Sequence, residues 1–247
     1  MGDPTPRAPA GRWLAGRLAV VTGASRGIGA ATAAAMAAAG AHVVLAARDR
    51  QALDSVAGRI TEAGGQATPV PTDVSDEAAV ERLFASAADL GQLGALVCAA
   101  GVLTSVPFAG TTSATWGETL GINLTGTFLC CRAAFTAMLP AGEGRIVNFG
   151  SLSGVYATEK FPGLAAYNVS KYGVIGLTEA VAVEGKPHGI SAICLSPGAV
   201  DTQMLRRANP ALRPGLTPDD VAELIVALLD SPLAPVSGAN IPLFSNA

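Results

Sequence analysis

Charge is scarce in this chain. Acidic and basic side chains make up 14% of its 247 residues, and the lysines are three: Lys160, Lys171 and Lys186. The formal net charge is −3, so there is no global positive field to gather phosphate backbones, and a nucleic-acid partner is not expected. Cysteine is equally sparse. Cys98, Cys130, Cys131 and Cys194 form no CxxC pair, have no histidine close by and sit in apolar runs. That excludes a disulfide scaffold and predicts no metal site; the thiols read as small hydrophobes in a reducing, cytoplasmic protein. Residues 1–16 carry three prolines and no apolar core of a signal peptide, so they read as a flexible arm. The eighteen residues from Ala30 to Ala47 contain no acid or lysine, but Gly40 and His42 interrupt them. Their period also changes from helical to strand-like, so two soluble elements are expected there and no membrane span.

What the chain does have is apolar content, at 50% of residues, arranged in a repeating order. Short apolar runs at Leu18–Val21, His42–Ala46, Ala67–Pro71, Leu96–Ala99, Arg145–Phe149, Ser191–Leu195 and Ala239–Leu243 read as strands. Between them fall helical stretches, including Ile28–Ala39, Arg50–Ala63, a helix capped by Asp76, Ser113–Leu139, Ala165–Val183 and one started by Thr217-Pro218. Continuous apolar strands separated by helices imply a parallel sheet covered on both faces. The expectation is one α/β domain over residues 17–247, a doubly wound parallel sheet of the Rossmann type.

Gly23-Ala24-Ser25-Arg26-Gly27-Ile28-Gly29 lies where the first strand meets the first helix. Glycines there allow a tight turn and bring backbone N–H groups toward a pyrophosphate at the helix N-terminus. A site for NAD wants an acid at the end of strand two to bind both ribose hydroxyls. This chain has Ala46-Ala47-Arg48 instead, with no acid before Asp49. Arg48 and Arg26 offer guanidinium groups to a 2′-phosphate, which predicts NADP(H). NAD(H) is the alternative, should strand two run on far enough to put Asp49 in register.

Tyr167 and Lys171 lie four apart at the start of a predicted helix and share a face. An ammonium beside a phenol lowers its pKa and makes it a proton donor or acceptor. With Gly23–Gly29, Asp73-Val74, Asn123, Gly150-Ser151 and Ser196-Pro197-Gly198 in this order, the chain resembles the short-chain dehydrogenase/reductase family over Gly16 to Leu243. Within it, the resemblance is strongest to carbonyl reductases related to 3-oxoacyl-acyl-carrier-protein reductase.

The resemblance implies that residues 17–247 form a single dinucleotide-binding catalytic domain, and it implies roles. Tyr167 is the general acid/base, Ser151 binds the substrate oxygen, and Lys171 tunes the tyrosine and holds the nicotinamide ribose. Asn123 supports a water that links Lys171 to solvent. Asp73 contacts adenine and Val74 lines its pocket. Ala100 and Gly101 accommodate the cofactor, and Pro197, Gly198 and Thr202 position the nicotinamide. The chain departs from the family at Cys98-Ala99-Ala100-Gly101, where Asn-Asn-Ala-Gly is usual. Tyr167 also follows Ser151 by sixteen positions, where about thirteen are common. The extra residues fall within Tyr156–Gly163 and read as a reshaped pocket wall or a surface bulge.

The function expected is reduction of a ketone to a secondary alcohol by an NADPH-dependent enzyme acting on a small-molecule substrate. The alternatives are an NAD-dependent alcohol dehydrogenase and a non-catalytic dinucleotide sensor. A homotetramer or homodimer is implied by the resemblance. Tyr156, Phe161, Leu103 and Met204 are pocket-wall candidates, while Arg206, Arg207 and Arg213 either greet an acidic or carrier-bound substrate or are solvated loop residues. His42, His188 and the cysteines are assigned to packing.

Overall fold

The computed structural model describes residues 13–158 and 160–245. Seven strands, β1 (Leu18–Thr22), β2 (His42–Ala47), β3 (Gln66–Pro71), β4 (Leu93–Cys98), β5 (Gly144–Phe149), β6 (Ile190–Pro197) and β7 (Asn240–Leu243), form one sheet. Its order is β3-β2-β1-β4-β5-β6-β7 and every pairing is parallel. The order reverses between β1 and β4, so the carboxyl ends of those strands open the crevice where doubly wound sheets bind ligands.

Among the described residues, eight α-helices flank the sheet: α1 (Gly27–Ala38), α2 (Arg50–Glu62), α3 (Glu77–Ala88), α4 (Ser113–Leu120), α5 (Gly126–Met138), α6 (Ala165–Gly185), α7 (Gln203–Ala208) and α8 (Pro218–Asp230). Strand alternation sorts them into two layers. Ala19 and Val21 of β1 pack with Met36, Leu53 and Ile225, which brings α1, α2 and α8 to one face. Leu18 and Val20 pack with Leu83, Leu129 and Ala134, which brings α3 and α5 to the other.

The run Ala30–Ala47 divides as expected into α1 and β2, with Gly40 at φ +94° in the turn. A second stretch, Ser113–Ala141, has the length and composition of a membrane span, yet half of its apolar window is buried within the fold. The expected single helix is broken there by a π turn at Gly121–Thr125, which carries Asn123. Such wide turns gather at functional sites.

Two other expectations shift. β4 begins at Leu93 rather than Leu96, because Gly94 sits at a register irregularity against β1 and interrupts the apolar run. Packing also starts earlier than the predicted arm allows. Leu14 is fully buried and its N–H donates to Asp230 Oδ1 at 3.2 Å. The Trp13 ring lies between the guanidinium groups of Arg17 and Arg145, 4.3 and 3.9 Å from its centroid. The rest of that arm, residues 1–12, lies outside the described residues.

Candidate active site

The floor of the crevice is made where β1 turns into α1. Gly23 takes φ +66°, and a Cβ there would lie 2.6 Å from the Ala99 carbonyl oxygen. A Cβ on Gly29 would lie 2.3 Å from the Gly23 carbonyl oxygen, so both glycines let backbone pack on backbone. Gly27 faces outward, toward Thr202. The Thr22 hydroxyl accepts the Ala100 N–H at 3.2 Å and braces the segment that departs from Asn-Asn-Ala-Gly.

The start of α1 differs from that of its neighbours. Side-chain oxygens of Asp49, Asp76, Thr112 and Thr217 cap α2, α3, α4 and α8. No side chain caps α1. Its first-turn N–H groups are left as donors beside half-buried Ser25 and Ile28, the donor set that suits a pyrophosphate.

At the end of β2, Arg48 is exposed. Asp49 is spent on the helix: its Oδ1 accepts the Ala52 N–H at 3.0 Å. The carboxylate of Asp73 accepts the Ser75 hydroxyl and N–H at 2.6 and 3.0 Å. Those bonds, the hydroxyl's above all, with the Arg48 charge as a smaller contribution, hold Asp73 below the usual carboxylate range. Val74 is buried against Gly126, where a Cβ would meet Val74 Cγ2 at 2.8 Å. Arg26 Nη1 donates to Gln203 Oε1 of α7 at 2.9 Å, tying the glycine loop to the segment after β6.

Lys171 and Tyr167 occupy the first turns of α6. Lys171 is almost fully buried, and Nζ donates to the Phe149 carbonyl at 2.7 Å. Burial lowers its pKa from 10.5 to about 8. The ammonium lies 5.7 Å from the centroid of the Tyr167 ring. Burial pushes the Tyr167 phenol above its ordinary value of 10, while the Ser151 hydroxyl beside it pulls the other way. The expected lowering of the phenol is therefore reversed in this arrangement: desolvation outweighs the Ser151 hydrogen bond.

Asn123 is fully buried. Its Oδ1 accepts the Val102 N–H at 2.8 Å, and its Nδ2 donates to the Val102 carbonyl and the Ser170 hydroxyl at 2.9 and 3.1 Å. A Cβ on Gly101 would lie 3.3 Å from Asn123 Oδ1 and 3.9 Å from Lys171 Nζ, so the three residues meet at one point. After β6, the Gly198 N–H donates to the Leu243 carbonyl at 2.9 Å and the Ala199 N–H to Ser245 Oγ at 2.7 Å. Thr202 caps α7.

A cleft of about 1060 Å³ brings Gly101, Ser151, Tyr167, Lys171, Pro197, Gly198 and Thr202 together, with Ile28 at one edge. All four pocket-wall candidates line it, and so do Ala157, Thr158 and Pro162 of the extra segment, which is thus wall rather than surface bulge. Gly23, Ser25, Arg26, Arg48, Asp73 and Val74 lie outside that lining. Arg206 is bound to Asp201 at 2.8 Å, and neither it nor Arg207 nor Arg213 borders the cleft, which removes the expected greeting of an acidic substrate. Gln203, Ser170 and the Phe149 carbonyl went unread in the sequence: a backbone oxygen leaves no mark there, and Gln203 lies 177 positions from Arg26.

The bland residues are accounted for. His42 Nε2 bonds Thr68 Oγ1 at 2.9 Å and His188 stands edge-on to Phe135, both away from Ser151. All four cysteines are buried and free. Among the described residues, no group of three or more His, Cys, Asp or Glu side chains has the arrangement of a metal site.

A sequence model described as short chain dehydrogenase matches residues 17–213. The chain belongs to that family. Among its short-chain dehydrogenase relatives, 3-oxoacyl-[acyl-carrier-protein] reductase of Synechocystis sp. is 36% identical over 231 residues, 90% of this chain and 92% of the relative. Glycine betaine reductase ATRR of Emericella nidulans is 35% identical over 241 residues, 93% of this chain, which spans 18% of that larger protein. A solved structure from Beutenbergia cavernae, described as a putative NAD(P)-dependent gluconate 5-dehydrogenase with bound NADP, superposes with a TM-score of 0.85 at 34% identity. It covers 94% of this chain and 96% of its own. Short-chain dehydrogenases are oxidoreductases that bind a nicotinamide dinucleotide, and the parallel sheet described above is their fold.

Proposed function

We propose that this short-chain dehydrogenase is an NADP(H)-dependent oxidoreductase that interconverts a ketone and a secondary alcohol within one catalytic domain spanning residues 17–247. The observation that carries the reading is the meeting of Ser151, Tyr167 and Lys171 on the floor of the cleft, with Asn123 behind them. When bound, the cofactor supplies the hydride acceptor or donor that no side chain can provide. The uncapped start of α1 and the loop Gly23–Gly29 would hold its pyrophosphate, and Asp73 and Val74 would border its adenine. Gly101, Pro197, Gly198 and Thr202 would border its nicotinamide. Arg48 and Arg26 would take the 2′-phosphate, while Asp49, used as a helix cap, offers no competing grip on ribose hydroxyls.

The protein's own share is proton handling. In reduction, the Tyr167 hydroxyl gives its proton to the carbonyl oxygen, and the Ser151 hydroxyl hydrogen-bonds the oxygen as negative charge grows on it. A phenol raised by burial holds its proton at neutral pH, which suits the acid role. Lys171, with a pKa near 8, is poised to return a proton to the tyrosine from solvent. Asn123 fixes Val102 and Ser170 so that the floor keeps its shape.

Assembly as a homotetramer or homodimer is supported by exposed apolar side chains on α4, α5 and α6: Trp116, Phe128, Val169, Tyr172 and Val183. Four free thiols support a cytoplasmic location. The deciding experiment titrates the protein with NADPH and NADH in parallel, for wild type and Arg48→Ala. Tighter NADPH binding, weakened at least tenfold by the substitution while NADH is unaffected, is expected; a preference for NADH overturns the cofactor assignment.

A further inference from the structure

The outer part of the cleft differs in chemistry from its floor. Among the described residues lining it, Lys171 is the one charged side chain, and it is anchored at the bottom. The mouth is apolar. Tyr156 and Phe161 come from the extra segment, Leu103 from the loop after β4, Met204 and Leu212 from around α7, and Phe244 from just past β7.

Three of these are unusually open for aromatic side chains: Tyr156 is 86% exposed, Phe244 69% and Phe161 44%. Apolar surface left open inside a concavity marks a place where something apolar binds. Two of the polar side chains there are already engaged, while Ser105, Ser153 and Asn209 complete the lining. Thr158 Oγ1 donates to the Leu152 and Val155 carbonyls, and Thr202 Oγ1 accepts the Leu205 N–H. Lys160 Nζ turns to the Val155 carbonyl and Thr158, both at 2.6 Å, over the Tyr172 ring, and does not border the cleft. A carboxylate entering here would lose its hydration without meeting a cation.

We infer that the site selects an uncharged ketone or secondary alcohol whose substituents are alkyl, alicyclic or aryl, with Tyr156 and Phe161 as its specificity-determining walls. The inference rests on the oxidoreductase reading above and adds the substrate class to it. In the oxidation direction, the carbinol C–H bond breaks and its electron pair leaves with hydrogen as hydride to NADP+. Tyr167 first gives up its own proton to solvent by way of Lys171; the alcohol O–H proton then passes to the Tyr167 phenolate as the C=O bond forms. The aromatic walls touch only the substituents.

The test is kcat/KM for 2-alkanols from 2-butanol to 2-heptanol with NADP+, measured beside threitol and gluconate. Burying each added methylene is worth ~0.8 kcal/mol, so kcat/KM rises about fourfold per carbon and about fifty-fold over the series. Threitol and gluconate fall below 2-butanol. Tyr156→Ala and Phe161→Ala flatten the slope, and Tyr156→Ala leaves the thermal midpoint unchanged, since that side chain is 86% exposed. Phe161→Arg lowers 2-heptanol turnover and raises that of gluconate. A flat or falling series in wild type, or gluconate preferred to 2-heptanol, overturns the substrate class and leaves the oxidoreductase reading standing. Absence of turnover for every alcohol and ketone, with either nicotinamide cofactor bound, overturns that reading itself and the inference with it.

Discussion

Replacing Lys171 with methionine should stabilise the cofactor-free protein while abolishing its chemistry. The ammonium is almost completely buried and its pKa falls from 10.5 to about 8. Below pH 8 the folded protein holds a desolvated charge, at a cost of ~3 kcal/mol from the displacement of its pKa. Between pH 8 and 10.5 the unfolded chain binds the proton and the folded one does not, so wild-type stability climbs with pH. Methionine fills a similar volume, carries no charge and has no such pH dependence. It gives up the bond from Nζ to the Phe149 carbonyl, worth ~1 kcal/mol. The net gain at pH 7 is therefore ~2 kcal/mol, a rise of about 4–8 °C in Tm for a domain of this size. By pH 9.5 the relief of the wild-type penalty brings the difference close to zero. Urea unfolding of both proteins at pH 7 and pH 9.5, read by circular dichroism with equal m-values, measures it. A methionine variant less stable than wild type at pH 7, or a gain identical at the two pH values, would refute the claim that burial of this charge opposes folding.

Three further outcomes follow from the site. Tyr167→Phe should lower kcat by about 10²–10⁴ with an unchanged Tm and unchanged cofactor affinity, because only the transferable proton is lost; steady-state rates beside a melting curve check this. Asp49→Ala should cost ~1 kcal/mol of stability through loss of the α2 cap, and leave the ratio of NADPH to NADH affinity as it was. A changed ratio would return Asp49 to the ribose. Gly29→Ala should destabilise by ~1–3 kcal/mol, because its Cβ would lie 2.3 Å from the Gly23 carbonyl oxygen. The same shift should weaken cofactor binding in a fluorescence titration.

Much of the fold is legible in the chain because most of its strands are apolar runs and several of its helices, α2, α3 and α8 among them, carry their own side-chain caps. Thr217-Pro218 announces α8, and the structure completes a capping box there with Asp220. Where a glycine interrupts the pattern, legibility ends: Gly94 hides the first half of β4. The six residues of α7 are too short for a period to show. The π turn leaves no mark because its cause is the seating of Asn123 against Val102 and Ser170, contacts that are remote in sequence. The site residues were readable as types at intervals, whereas their protonation was not. Proximity of Lys171 to Tyr167 predicts a lowered phenol, and only burial, a property of the folded chain, reverses the sign.

The wide turn at Gly121–Thr125 divides what looks like one rod into two levers. The Gly126 N–H reaches back to the Gly121 carbonyl, and the Thr127 hydroxyl takes up the Asn123 carbonyl at 2.8 Å, so the joint is held by unlike bonds on its two sides. Beyond it, α5 lies against α3 and the sheet; before it, α4 leans on α6. A torque on α4 therefore need not travel into the core. It meets the joint that seats Asn123 first, and hydrogen exchange should find the amides of α4, exposed along most of its length, faster than those of α5.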